Sequence, residues 1–214
     1  SDVCSSDLTL LTLGGERYLN RVNYQYIMSS DYAQQYPGLL GAEHTLSQED
    51  AERLTDITVT DYSASTKLAA GTYKLVKLKS TASVAAKRGC LVYWDTSADP
   101  SAFQVTTDVI GANGAVAGVL CNVITAGYYG FIQIDGIAWC LGKSSALTAT
   151  GATGQPLFAV TDTQGRVDNV ADATSVTEAI LQTLVGAAWD VPVAATLKRV
   201  ALSIRMKVPS VGNF

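Results

Sequence analysis

Chemistry in this chain would have to come from very few side chains. There is one histidine, His44. A lone histidine cannot build a multi-histidine metal site, and a Ser-His-Asp triad would have to use it. No serine stands in a G-x-S-x-G elbow. A Cys-His pair would need Cys90, Cys121 or Cys140, each of which lies in an apolar run. Asp95 and Asp135 sit in turn signals, where Asp is favoured for local backbone reasons, so they are poor candidates for the paired acids of a glycosidase. Gly111-Ala-Asn-Gly114 and Gly151-Ala-Thr-Gly154 lack the Lys-Ser/Thr and the following helix of a phosphate loop. No calcium-loop pattern is present. The expectation is a chain with no catalytic residue, no cofactor and no metal, which is not an enzyme. Trp94, Trp139 and Trp189 lie in or beside expected strands, so they read as core rather than as a sugar-binding platform.

The bulk properties agree with a folded, non-catalytic protein. Of 214 residues, 48% are apolar and 16% charged, against about 25% charged in an average globular chain. A disordered chain shows the opposite balance. The net charge of −4 argues against a nucleic-acid footprint and against docking on anionic lipid. No apolar run approaches the length of a membrane-spanning helix. No basic region followed by an apolar stretch marks a signal peptide at the start. The cysteines read as buried free thiols, with a single disulfide as the alternative.

The pattern of elements is mainly β: a barrel- or sandwich-like domain with an extended N-terminal arm and one short helix. Ser1–Leu8 (SDVCSSDL) reads like a sequencing adapter or a polar tail and stands apart from the fold, Cys4 with it. Residues 9–56 form the arm and helix, and 57–214 the β domain. The arm concentrates Tyr18, Tyr24, Tyr26, Tyr32 and Tyr36, half of the ten tyrosines. They suit an interface, because tyrosine brings large area with a polar tip, and they suit equally a cover over the domain's own core. Ser47 is a good N-cap for a helix over Ser47–Leu54, with Asp50 in the capping-box position.

Ile57–Val59 is a short strand, and Tyr73–Lys79 alternates lysines like an exposed edge. Gly89–Trp94 is a strand covered on both faces. Phe103–Val109 and Val116–Ile124 follow as strands. Tyr128–Leu141 reads as a hairpin about Asp135-Gly136. Leu157–Thr161 and Arg166–Val170 form a further hairpin, and Ala179–Trp189 and Leu197–Met206 close the series. A faint internal echo links Gly89–Thr96 with Gln155–Thr163, both strands running into an Asp-Thr turn. The echo supports short strands at regular spacing.

The stretch Gly118–Trp139 carries the most characteristic pattern. Thr125-Ala-Gly127 with Gly130 is followed by a G-x-I-Q-I-x-G segment at Gly130–Gly136, a Gly-rich loop at Thr148–Gly154 and the strand Leu157–Val160. With Ala69-Ala-Gly71, Ala85–Gly89, Val185–Trp189 and Leu197–Met206, the pattern over Ala69–Met206 resembles capsid decoration (cement) proteins of tailed bacteriophages. The resemblance does not extend to Thr9–Thr55. It implies a β-barrel-like, usually trimeric subunit on the outside of an icosahedral shell. Such a subunit binds the major capsid protein and its own copies, with neither nucleic acid nor membrane as partner. On this reading the partner-binding residues are the five arm tyrosines together with Tyr128 and Tyr129. Alternatives are a tail-tube subunit or head fibre, a sugar-binding β-sandwich with exposed tryptophans, and an enzyme using His44.

Overall fold

The computed structural model describes residues 40–54, 57–59, 64–81, 86–95, 97–99, 102–108, 115–143, 147, 151–159, 165–169 and 183–204. The arm tyrosines and Cys4 lie outside these residues.

The described elements are mainly β. Strand β1 (Glu43–Leu46) leads into helix α1 (Gln48–Glu52), whose N-cap is Ser47. The Ser47 hydroxyl accepts from the Asp50 amide at 3.1 Å and donates to the Asp50 carboxylate at 2.8 Å, which is half of the expected capping box. A two-stranded sheet pairs β2 (Ile57–Val59) with β3 (Ala64–Thr66). The remaining strands are β4 (Gly71–Leu78), β5 (Leu91–Trp94), β6 (Gln104–Thr106), β7 (Val116–Leu120), β8 (Tyr129–Leu141), β9 (Pro156–Ala159), β10 (Val167–Asn169), β11 (Leu184–Ala188) and β12 (Leu197–Leu202).

The pairings resolve these strands into two rings that share β8. The first is a closed five-stranded barrel in the order β4-β6-β5-β7-β8, with β8 returning to β4. The second runs β8-β12-β11-β9-β10, and a parallel bridge between Gly142 and Val167 links β10 back to the end of β8. Each ring has the same sequence of strand directions. The first–third contact is parallel (β4 with β6, the end of β8 with β10), and the others are antiparallel.

The match holds residue by residue. Val119 faces Gln133 and Leu120 faces Ile132 in the first ring, where Ala187 faces Ala201 and Ala188 faces Val200 in the second. Leu91–Val119 and Val92–Gly118 become Pro156–Ala187 and Leu157–Gly186. The register shift that follows recurs at the same place in both rings. Lys77–Tyr129 through Tyr73–Gln133 become Leu141–Leu197 through Ile137–Ala201. Loop hydrogen bonds repeat too. Gly89 N to Leu120 O (2.9 Å) matches Gly154 N to Ala188 O (2.7 Å), and Cys121 N to Phe131 O (3.1 Å) matches Trp189 N to Arg199 O (3.0 Å). The two rings are structural repeats of one strand plan, related by a register that pairs Gly89 with Gly154 and Leu91 with Pro156.

Each ring has its own core. Val76, Val92, Val105, Ala117, Leu120 and Ile132 fill the first, and Cys140, Leu157, Val167, Val185, Ala188 and Val200 hold the matching positions of the second. Leu91, Tyr93, Val116 and Val119, on the opposite faces of β5 and β7, join the second core and weld the rings together. That explains why Gly89–Trp94 reads as covered on both faces. A third cluster joins Leu46, Ala51 and Leu54 to Tyr73, Leu75, Cys121 and Phe131, so β1 and α1 cover the outside of the first ring.

Two sequence expectations need correction. The expected hairpin over Tyr128–Leu141 is instead one 13-residue strand, Tyr129–Leu141. Asp135-Gly136 is a kink in that strand. Gly136 has φ 87° and a side chain there would meet the Ala70 carbonyl at 2.3 Å, so the Gly serves a close approach rather than a reversal. Tyr73–Lys79 is not an edge, because β4 is paired with β8 on one side and with β1 and β6 on the other. Lys74 is 2% exposed and reaches Glu43 at 2.8 Å, with its ammonium 5.8 Å from the Phe103 ring.

Candidate interaction surface

The residues weighed for catalysis are dispersed. His44 lies on β1, not in a loop, edge-on to Phe131 at a centroid distance of 5.7 Å, and burial lowers its pKa. Cys90, Cys121 and Cys140 are buried free thiols. Burial pushes Cys121 up to about 12 and raises Cys90 and Cys140 as well, so all are protonated and unreactive at neutral pH. Asp95 stands at the end of β5. Burial alone would raise its pKa, but hydrogen bonds from the Ser97 hydroxyl (2.6 Å), Gln104 Nε2 (2.7 Å), the Ser97 amide (3.1 Å) and Lys79 Nζ outweigh burial and hold it at about 2. It clamps a turn. Among the described residues no group of three or more His, Cys, Asp or Glu could hold a metal ion.

The exposed apolar surface is organised instead. Large apolar side chains on the described surface are Val123, Tyr128, Trp189, Val191 and Val193. All five lie in two loops, β7–β8 (residues 121–128) and β11–β12 (residues 189–196), which the register makes equivalent. Val123 is 55% exposed and its match Val191 is 50% exposed. The next residue in each loop, Ile124 or Pro192, is buried and pins the loop to its ring. Gly127 (φ 84°) and Ala195 (φ 54°) hold the same left-handed turn. The two loops therefore present a matched exposed valine each on similar frames.

The two loops differ at their first residues. Cys121 is buried under α1, whereas Trp189 at the matching place is 52% exposed. Trp189 therefore corrects the expectation that all three tryptophans are core, while Trp94 and Trp139 are partly buried against the first core. Arg199, in the place of Phe131, forms a bidentate pair with Asp190 at 2.9 and 2.7 Å, and this hydrogen bonding lowers the Asp190 pKa. Of the tyrosines singled out in sequence, Tyr128 is exposed in the first loop. Tyr129 is half-buried in the barrel wall, its ring 5.6 Å from the Lys77 ammonium. Val123, Val191 and Val193 escape sequence reasoning because a valine next to other apolar residues reads as core. A strand glycine followed five residues later by the exposed Val, Gly118 to Val123 and Gly186 to Val191, is the available signal, and it is readable only once the loops are aligned.

No family model matches the chain, and no curated protein matches it. Among solved structures, the N base of the head fiber gp8.5 of bacteriophage phi29 superposes on 61% of this chain and 92% of its own, with a TM-score of 0.39 and 15% identity.

Proposed function

We propose that this chain is a virion structural protein, a decoration subunit that binds the outer face of a shell of major capsid proteins and strengthens it without catalysing a reaction. The observation that carries the reading is the repeated loop. One chain offers a matched exposed valine twice, on two rings of the same strand plan, which suits a partner that itself repeats, such as a symmetric shell. Two modest contacts on one body add through effective concentration, so neither needs to be strong. The resemblance of Ala69–Met206 to cement proteins spans both barrels and supports the same role, with a homotrimer as the assembly. A head fibre or tail-tube subunit is the other virion role this architecture suits.

The test is binding of purified chain to undecorated shells. Val123→Asp and Val191→Asp should each lower shell occupancy by at least tenfold while leaving the thermal midpoint almost unchanged, since both side chains are half-exposed. The double variant should not bind. Full occupancy by the double variant would remove the loops from the interface.

A further inference from the structure

The N-terminal arm joins the body at a defined point. One edge of β4 is taken by β8, and β1 and β6 share the other edge end to end. On that edge Gly41 N donates to the Leu75 carbonyl at 2.8 Å, and Lys77 N, at the next place along, donates to the Phe103 carbonyl at 3.1 Å. A longer β1 would have to occupy places that Phe103 and Gln104 already hold. Phe103 has φ 42°, rare for a bulky residue. Its ring lies over Gly41, where a β-carbon would come within 2.5 Å of ring carbons, and Trp94 holds that ring edge-on at 6.4 Å. Phe103 is thus a wedge that turns the chain off β4 at Gly41, itself at φ 78°.

The wedge stands at the end of the first ring that faces away from the second. Leu75 lies opposite Phe131, whereas Trp189 bonds Arg199, which lies opposite Trp139. From Phe131 to Trp139, β8 covers roughly 26 Å at about 3.3 Å per residue. Traced backward from Leu46 to Gly41, β1 heads away from Trp189. An arm leaving there must reverse to reach its own second ring, but runs outward freely to a neighbour.

The second ring offers a flank for it. In the first ring the residues that follow the arm, Leu46, Ala51 and Leu54, cover Cys121. The matching Trp189 is 52% exposed, and beside it Arg199 and Asp190 neutralise each other through their bidentate pair. An aromatic, locally neutral flank calls for an uncharged aromatic segment. In residues 9–39 the acids Glu16 and Asp31 balance Arg17 and Arg21. Between Arg21 and Asp31 the sequence carries no charge, and Val22, Tyr24 and Tyr26 alternate with Asn23 and Gln25. Tyrosine stacks on an indole or a guanidinium and keeps its hydroxyl wet.

We propose that the Trp189–Arg199 flank of one copy receives the Val22–Tyr26 stretch of a second copy's arm, with Phe103 as the residue that aims the arm outward. The contact leaves Val191 to the shell and forms between free chains, so it holds or fails independently of the shell reading.

In the full chain, Trp189→benzoylphenylalanine places a photo-reactive ring at the contact. This unlabelled variant and heavy-nitrogen-labelled wild type are mixed dilute, concentrated together and irradiated, and the joined peptides are read by mass spectrometry. The expected product joins position 189 to a peptide from residues 9–39, in heavy as well as light form. Arm peptides in light form only would place the arm on its own ring and overturn the proposal, as would cross-links confined to other segments or none. Sedimentation velocity gives a second reading. The wild type should associate as its concentration rises, while Trp189→Ser, which removes a half-exposed side chain, should keep the wild-type thermal midpoint and stay monomeric. Equal association of Trp189→Ser, or a wild type that stays monomeric, would also sink the proposal.

Discussion

The two barrels share a register but not a surface, and the difference comes from what covers them. In the first, β1 and α1 lie over Tyr73, Leu75, Cys121 and Phe131, and the corresponding face is sealed. In the second, the positions of Cys121 and Phe131 are taken by an exposed Trp189 and an ion-paired Arg199. The same backbone supports an apolar, capped face in one copy and an open, amphipathic face in the other. What the repeat keeps in common, the interior and the valine-bearing loop, is what both rings need. What it lets diverge is the flank of each loop.

The largest expected effect probes the shared interior. Ile132 and Val200 are matching core residues, 0% and 1% exposed. Ile132→Ala should cost about 3–4 kcal/mol and Val200→Ala about 2, from lost burial and the cavity left behind. Denaturant titration of each variant checks this, and because Leu91, Tyr93, Val116 and Val119 weld the rings, one cooperative transition should persist. Two separated transitions would show that the barrels fold independently.

A smaller effect distinguishes the first ring. Asp95→Asn should cost about 1–3 kcal/mol near neutral pH, the usual range for weakening a buried, charge-assisted network. The folded pKa of Asp95 lies near 2, below its ordinary 3.8. Its contribution is therefore complete above about pH 4, declines as the pH falls toward 2, and is gone below that. Thermal midpoints of wild type and variant should converge over that window; a gap that stays constant to pH 2 would assign the cost to packing instead.

The smallest effect concerns the matched turns. Ala195 occupies a left-handed conformation that glycine fills at Gly127. Ala195→Gly should stabilise by about 0.5–1 kcal/mol and Gly127→Ala should destabilise by about 1, the two signs following from the cost of a β-carbon at positive φ. Paired melting curves compare them, and equal signs would show that the turns are not equivalent.

Much of the fold was legible as apolar runs. Leu91–Trp94, Val116–Leu120 and Leu197–Leu202 are strands because they bury nearly every alternate side chain, and some bury both faces. The Ser47 cap was legible because capping is local chemistry. The long strand β8 was not, since Asp-Gly signals positive φ without saying whether the chain reverses or kinks. Lys74 misled because its charge is answered by Glu43 and the Phe103 ring, both remote in sequence. The repeat was hidden for a related reason. Equivalent positions keep burial and backbone geometry rather than identity, and the spacing between copies changes from Val105–Val167 to Gly118–Gly186 as loop lengths differ. The surface loops were least legible, because an exposed valine in a run of apolar residues looks like core.

The most direct test of the central claim is cryo-electron microscopy of the particles that carry this chain. The account predicts knobs on the outside of a shell at local three-fold positions, with residues 121–128 and 189–196 of each chain resting on equivalent elements of neighbouring capsid subunits. Density in a tube or fibre, or a shell-bound chain with both loops facing solvent, would contradict it.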